Sequence, residues 1–460
     1  MENNKQQWSS GLGFILASAG SAAGLGNIWK FPGRAYEGGG GLFILVYVVI
    51  VALLGAPLMI METALGRNTG RNAVGAYKSV SRRWSIAGWF GVITGFIVSC
   101  YYIQLGGWVI EYFFSYVFNS GAVYADPKAY FGAVLGSGGF PVMSAVIYPA
   151  VFLGICVYVL IKGVSQGIEK FSMFAMPALV MLLFILLIRS VTLEGSKAGI
   201  KYMLSADFEK FSLQSLLSAL GQAFYSLSIG LGIMITYGAY LGKNENIVKN
   251  TVYICLFDTL IAVVAAFIII PAVFSAGTEA GAGGSFVFVS LAEVFKNMPS
   301  GSVFGALFYL LLFFAAVTSE ISIFEAAVVF ATNEFNFDRV KTIAVLSVIM
   351  LAVGVLYTIS QVYVPLKGIW FDAVDGLAFP SFGDCLELLT DRFTIPVGAF
   401  LSCIFAGYVW KSKSALGEIE SGGKYPFRFG GYWLFTIRYL APACIFVIFV
   451  CGIFFGISVS

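Results

Sequence analysis

Histidine does not occur among the 460 residues, and only 11% of positions are Asp, Glu, Lys or Arg. Without imidazole there is no His-based catalytic triad and no His metal ligand. A soluble domain carries about 25% charged residues, so this chain is not composed for water. The seven cysteines show no paired spacing. Cys100, Cys156, Cys255, Cys403, Cys444 and Cys451 fall in apolar runs, and only Cys385 lies near a polar loop. That pattern excludes a disulfide framework and a zinc ribbon. A Gly-rich phosphate loop followed by Lys-Ser/Thr is missing, as is a nucleophile elbow. Neither enzyme chemistry nor ATP-driven transport is expected. The net charge of +3 is too small to point to nucleic acid as a partner.

What fills the chain is apolar. Hydrophobic residues make up 59% of it, and mean hydropathy is +0.89. A bilayer span needs about 20 such residues. Eleven stretches qualify: 11–36, 41–66, 87–118, 142–162, 167–189, 213–240, 247–275, 302–332, 340–359, 386–410 and 432–458. The expected fold is therefore an all-α membrane protein with eleven transmembrane helices in the lipid bilayer. The polar start, Met1 to Ser10, precedes an apolar run too long for a signal-peptide core, which reads as the first span. An odd number of spans puts the termini on opposite sides. With the N-terminus in the cytoplasm, sixteen of the 27 basic residues lie inside and ten outside, with Arg438 inside the last span. That bias favours a cytoplasmic N-terminus and an external C-terminus. The outer segment 276–301 reads either as a re-entrant helical hairpin over an external mouth or as an ordinary surface loop.

The triplet Gly-Leu-Gly occurs at Gly24-Leu25-Gly26 and again, 206 residues later, at Gly230-Leu231-Gly232. Each copy interrupts an apolar span. Glycine is about 1 kcal/mol worse than alanine in a helix, and a helix that opens in lipid exposes peptide groups that water cannot reach. Such a break persists where something polar fills it, and paired breaks mark transporters built from inverted repeats. Near Ala22 and Ala23 freed carbonyls suit a hard cation, and Asn27 adds a side-chain oxygen. The N–H groups of Leu25 and Gly26, opening the next half-helix, suit an anion. Around the second break stand Ser226 and Ser228. Each feature has a plainer reading: Gly20-x-x-x-Gly24 also serves close helix packing, and mid-span serines bond back to the preceding turn. In the eighth span, Thr318 and Ser319 with the Ala315 carbonyl make a second possible oxygen cage. Asp258, Glu320, Glu325 and Glu62 are acids within spans, which are functional by default. Glu62 is expected to accept N–H bonds from a broken helix.

The run from Trp8 through Gly24-Leu25-Gly26-Asn27 to Phe31-Pro32, the Gly38–Gly41 run, the Glu62–Arg67 segment, the Gln222–Gly232 segment and Thr318-Ser319 occur in order along nearly the whole chain. Together they resemble the neurotransmitter:sodium symporter family, in particular its bacterial amino-acid carriers, the leucine transporter among them. The resemblance implies a five-plus-five inverted repeat, with helices 1 and 6 unwound at the midplane. Residues 11–189 would form the first repeat (helices 1–5) and 213–410 the second (helices 6–10), with 432–458 as peripheral helix 11. It implies alternating access in a bacterial inner membrane and sodium ions at two sites. The first would use Ala22, Asn27, Ser226, Asp258 and the substrate carboxylate. The second would use Gly20, Ala23, Ala315, Thr318 and Ser319. An amino-acid substrate would meet Leu25, Gly26 and Tyr102 through its carboxylate, and Ala22, Tyr225 and Ser226 through its amine. Ser21, Val98, Tyr102, Tyr225, Ser228, Leu231, Ser319 and Ile323 would line its side chain.

Several positions depart from the family's pattern. The chloride-site equivalent is Tyr47, Gln222, Ser226, Asp258 and Ala262. Asp258 stands where an Asn is expected, and Ala262 where chloride-dependent members have Ser. A fixed carboxylate there implies chloride independence, and a proton on the return step. Gly24 replaces the aspartate of monoamine carriers and leaves room for the substrate's own carboxylate. Leu231 replaces a Phe, so the pocket should take a hydrophobic or aromatic amino acid. Lys30 stands for an Arg in the outer gate, with Glu387 as its expected partner. At the inner gate Lys5 replaces an Arg, and Asn333 stands where an Asp partner is expected, with Asp338 or Glu334 as substitutes and Trp8 as a packing plug. The alternative readings are a non-transporting amino-acid sensor of the same fold, a channel and a proton-only carrier. The short cytoplasmic segments, the paired breaks and Thr318-Ser319 disfavour these in turn.

Overall fold

The computed structural model describes residues 6–278, 286–363 and 381–454, which are helical throughout their long elements and contain one isolated β-bridge, Gly40 to Ala206. The first apolar stretch is two helices, α1 (Gly11–Ala22) and α2 (Gly26–Glu37), bent by 51°. There follow α3 (Gly41–Thr69), α4 (Arg82–Phe118), α5 (Met143–Ile161) and α6 (Val164–Val191). The 213–240 stretch is also divided, into α7 (Leu213–Ser226) and α8 (Ile233–Ala239). The remainder are α9 (Ile247–Ala276), α10 (Gly301–Phe335), α11 (Arg339–Val362), α12 (Phe382–Val409) and α13 (Gly430–Ile453). Among the described residues nine helices are long and apolar enough to cross a membrane, or ten if α1 and α2 form one span.

Local chemistry sets where the two divided stretches stop. Ser10 caps α1, its hydroxyl accepting from the Gly13 amide at 2.9 Å. The helix ends when Ala23 leaves helical geometry (φ −76°, ψ 55°) and the Gly24 amide turns back to the Ala22 carbonyl at 2.8 Å. A Ser212–Ser215 capping box starts α7. Between α7 and α8, Ser228, Gly230 and Gly232 all have positive φ, at 55°, 84° and 72°. An α-helix cannot pass through three left-handed residues. Glycine adopts that geometry freely, whereas a side-chain-bearing residue such as Ser228 does so at about 1–2 kcal/mol.

The two divided stretches lie at the heart of the bundle. α1 packs against α6, α9 and α10, α7 against the first half of α3, and α8 against its second half, while α4 and α10 form the most extensive helix pair. The outer surface is apolar: Leu45, Phe174, Ile188 and Val348 are each more than 60% exposed, as a lipid-facing belt requires. The interior, by contrast, holds Glu62, Asp258, Glu320 and Glu325 with no exposure at all. A carboxylate in such surroundings needs hydrogen bonds or a cation.

Candidate functional site

A small cavity, with about 30 Å³ of free space, lies where the α1/α2 and α7/α8 junctions face α4 and α10. All twelve residues expected to contact substrate line it: Ser21, Ala22, Leu25, Gly26, Val98, Tyr102, Tyr225, Ser226, Ser228, Leu231, Ser319 and Ile323, with Gly24 and Asn27 beside them. The Leu25 amide donates to the Tyr102 hydroxyl at 3.2 Å, and the Ser21 and Ser322 hydroxyls meet at 2.6 Å. Any β-carbon at Gly24 would stand 2.7 Å from Ser319 Oγ and 3.2 Å from Tyr102 Oη, so only glycine keeps this space open.

One edge of the cavity is a knot of oxygens around Asp258 of α9. Its Oδ1 accepts from Asn27 Nδ2 and Ser226 Oγ, both at 2.6 Å, and its Oδ2 accepts from Tyr47 Oη at 3.2 Å. Ser226 Oγ also lies 2.8 Å from Asn27 Oδ1. The residues expected at the first sodium site are thus brought together, with Ala22 on the cavity wall. At the opposite edge Ser319 Oγ donates to the Gly20 and Ser21 carbonyls at 3.2 and 3.1 Å, and Thr318 Oγ1 to the Ala315 carbonyl at 3.1 Å. Ala23, fully buried, closes the end of α1 here. Of the five chloride-site equivalents, Tyr47, Ser226 and Asp258 touch. Gln222 Oε1 accepts from Arg34 Nη1 at 2.7 Å, and Ala262 is buried and brings no polar group. Glu62 accepts the Gly230 amide at 2.8 Å, so a carboxylate of α3 holds the broken α7/α8 backbone.

The outer pair differs from expectation. Lys30 Nζ meets Asp391 Oδ2 at 3.5 Å and lies 4.9 Å over the Tyr225 ring, while Glu387 Oε1 accepts from Tyr357 Oη at 2.6 Å. Glu387 and Asp391 are four residues apart on one face of α12, so spacing does not choose between them. A tyrosine of α11 engages one and leaves the other to lysine. On the N-terminal side Lys5 lies outside the described residues. Neither substitute partner is free: Glu334 pairs with Lys78 at 3.0 Å, and Asp338 Oδ1 caps α11 through the Lys341 amide at 3.0 Å. Trp8 packs beneath the cavity's helices, its Nε1 donating to the Tyr237 carbonyl at 3.0 Å and its ring edge-on to Phe14, Tyr237 and Tyr240.

Three polar fastenings on that side escaped the sequence reading. Arg339 Nη2 meets Glu325 Oε2 at 2.6 Å, and Tyr240 Oη donates to Glu325 Oε1 at 3.0 Å. Glu169 accepts from the Ser9 amide at 2.8 Å and from the Ser9 and Ser10 hydroxyls at 2.6 and 2.9 Å. Arg67 and Lys243 share Glu418, at 2.7 and 2.8 Å. The buried position of Glu325 was a visible signal; its partner, fourteen residues along, was not. Of the long 276–301 segment, residues 279–285 lie outside the described ones. Phe286–Ser290 and Leu291–Asn297 are helical, and Phe288 packs on Trp29 of α2.

A family model described as the sodium:neurotransmitter symporter family matches residues 5–123 and 135–457. The chain is similar to the uncharacterized sodium-dependent transporter YhdH of Bacillus subtilis, 34% identical over 98% of both chains. It is also similar to an uncharacterized sodium-dependent transporter of Haemophilus influenzae, 32% identical over 98% of this chain and 99% of that one. Among solved structures, the crystal structure of MhsT in complex with L-phenylalanine superposes with a TM-score of 0.86, at 32% identity over 97% of this chain and 99% of that one. A model match along nearly the whole chain, and relatives matched end to end, place the chain in the sodium:neurotransmitter symporter family, as a multi-pass membrane transporter and not an enzyme.

Proposed function

We propose that this protein is a sodium-coupled symporter that imports a hydrophobic or aromatic amino acid by alternating access, without needing chloride. The observation that carries the reading is the central cavity. Two interrupted helices meet there, with the Leu25 and Gly26 amides on its wall beside the oxygen knot around Asp258. An α-carboxylate fits the amides, and sodium, a co-substrate, fits the oxygens of Ala22, Asn27, Ser226 and Asp258. A second sodium fits Gly20, Ala23, Ala315, Thr318 and Ser319. Opposite charges in a dry site raise one another's affinity, which is the physical basis of coupling. The apolar part of the wall (Val98, Leu231, Ile323) suits an apolar side chain, in line with the phenylalanine bound by MhsT. Asp258 supplies a fixed negative charge where relatives of the family recruit chloride.

In this reading α1 with α2, and α7 with α8, are spans 1 and 6 of eleven. Residues 11–189 and 213–410 form the inverted repeats, with 432–458 peripheral. The chain lies in a bacterial inner membrane with its N-terminus cytoplasmic and its C-terminus outside. Lys30 with Asp391 closes the outer side over Tyr225 and Tyr102, and Trp8 the inner side.

Equilibrium binding of tritiated phenylalanine, leucine and tryptophan to the purified protein tests the reading, in sodium chloride, potassium chloride and sodium gluconate. Binding in both sodium salts and none in potassium is expected. Equal binding in potassium refutes sodium coupling, and loss in gluconate refutes chloride independence.

A further inference from the structure

Arg34 belongs to none of the expected sites, yet it is shut inside the bundle at 8% exposure. Among the described residues it enters no ion pair, and Lys30, one turn earlier on α2, takes Asp391. Its acceptor is neutral: Nη1 donates to Gln222 Oε1 of α7 at 2.7 Å. Gln222 is fully buried, and its Nε2 has no acceptor among the described residues, so Arg34 sets which way the amide faces. A guanidinium removed from water and left without a carboxylate is costly. A charge kept inside a span at such a cost marks a functional part.

Its position shows which part. Gln222 lies one turn before Tyr225 and Ser226 on α7, and Arg34 two turns after Asn27 on α2. Ser226 Oγ lies 2.8 Å from Asn27 Oδ1. Asn27–Ser226 and Arg34–Gln222 are therefore two rungs between the same pair of packed helices. One rung alone is a pivot, whereas two fix the angle between the helices. The first rung carries side chains of the proposed first sodium set, beside Tyr225 on the cavity wall. Neither Arg34 nor Gln222 lines that cavity. We propose that Arg34 is a positioning residue: its bond to Gln222 makes α2 and α7 move as one body and holds Asn27 in register with Ser226. The proposal rests on the sodium-coupled reading given above.

Binding of tritiated phenylalanine, or of leucine, to the purified full chain across a sodium titration tests it, with thermal unfolding read in parallel. Wild type that binds equally in sodium and in potassium refutes the sodium-coupled reading itself, before any variant is compared. Arg34→Met and Gln222→Leu keep most of the volume and remove the bond. Each should raise the sodium midpoint about tenfold, the weight of one charge-assisted hydrogen bond, and the double variant should raise it no further. Loss of the Arg34 charge alone would lower the midpoint, since a cation no longer repels sodium, so a rise reports lost register. Gln222→Glu keeps an acceptor and should not raise it. Unchanged or lowered midpoints in Arg34→Met and Gln222→Leu, additive effects in the double variant, or an equal rise in Gln222→Glu overturn the proposal. If one variant proves unfolded by its thermal transition, the other and Gln222→Glu decide.

Discussion

Replacing Gly24 by alanine adds one methyl group to the cavity wall. That carbon would lie 2.7 Å from Ser319 Oγ, 3.4 Å from Ser319 Cβ and 3.2 Å from Tyr102 Oη. Contacts below 3 Å are not tolerated, so Ser319 must give way. Its hydroxyl is held between the Gly20 and Ser21 carbonyls at 3.2 and 3.1 Å, and a shift of half an ångström loosens both. Overpacking of this kind costs about 1–3 kcal/mol, or roughly 5–150-fold in binding. Because Ser319 belongs to the proposed second sodium set and Tyr102 to the carboxylate site, the two ligands should suffer together. The assay is amino-acid binding across a sodium titration. Both the substrate dissociation constant and the sodium midpoint should rise. Gly154→Ala is the control: Gly154 lies in α5 with nothing within 4 Å of an added β-carbon, and alanine there favours the helix by about 1 kcal/mol. Wild-type affinity in Gly24→Ala, or an equal loss in Gly154→Ala, would refute the reasoning.

Three further outcomes follow from the geometry. Glu62→Ala leaves the Gly230 amide without its partner and should destabilise by about 1–3 kcal/mol, whereas Glu62→Gln retains an acceptor and should lose less; thermal unfolding of the two variants separates them. Lys30→Gln and Asp391→Asn should each speed substrate dissociation, and their double mutant should show a coupling of about 1 kcal/mol that Lys30→Gln with Glu387→Gln lacks. Trp8→Ala removes three edge-on ring contacts and the bond to the Tyr237 carbonyl, so a cysteine placed by Ser21→Cys should be alkylated several-fold faster from the N-terminal side; an unchanged rate argues against Trp8 as a plug.

The interrupted helices were legible because glycine pairs inside apolar runs have few other uses, and Ser228 beside them carries the left-handed geometry that the break needs. Eight of the twelve wall residues lie within a few positions of a break, whereas Val98, Tyr102, Ser319 and Ile323 come from α4 and α10 and were expected only from the family resemblance. Long-range polar contacts were not legible. Lys30 could be assigned to Glu387 or Asp391 only by knowing that Tyr357, thirty residues away from Glu387, takes the former. Gln222 was expected beside the Asp258 group, and its bond from Arg34, 188 residues away, was not. The Arg339–Glu325 pair joins two helices across a turn, and no periodicity announces it. Span counting also had a limit, since a stretch cut into helices of fourteen and seven residues has the composition of a span but not the rod.

Glu169 grips the opening residues of the chain with both carboxylate oxygens, one amide and two hydroxyls arriving from adjacent serines. Such a clasp does not loosen by degrees. Swinging the front of α1 away from α6 strips three partners from one buried acid in a single motion, so intermediate tilts are penalised and the two extremes favoured. Fluorophores or affinity tags tied to this tail would therefore report a two-position toggle rather than a sliding hinge.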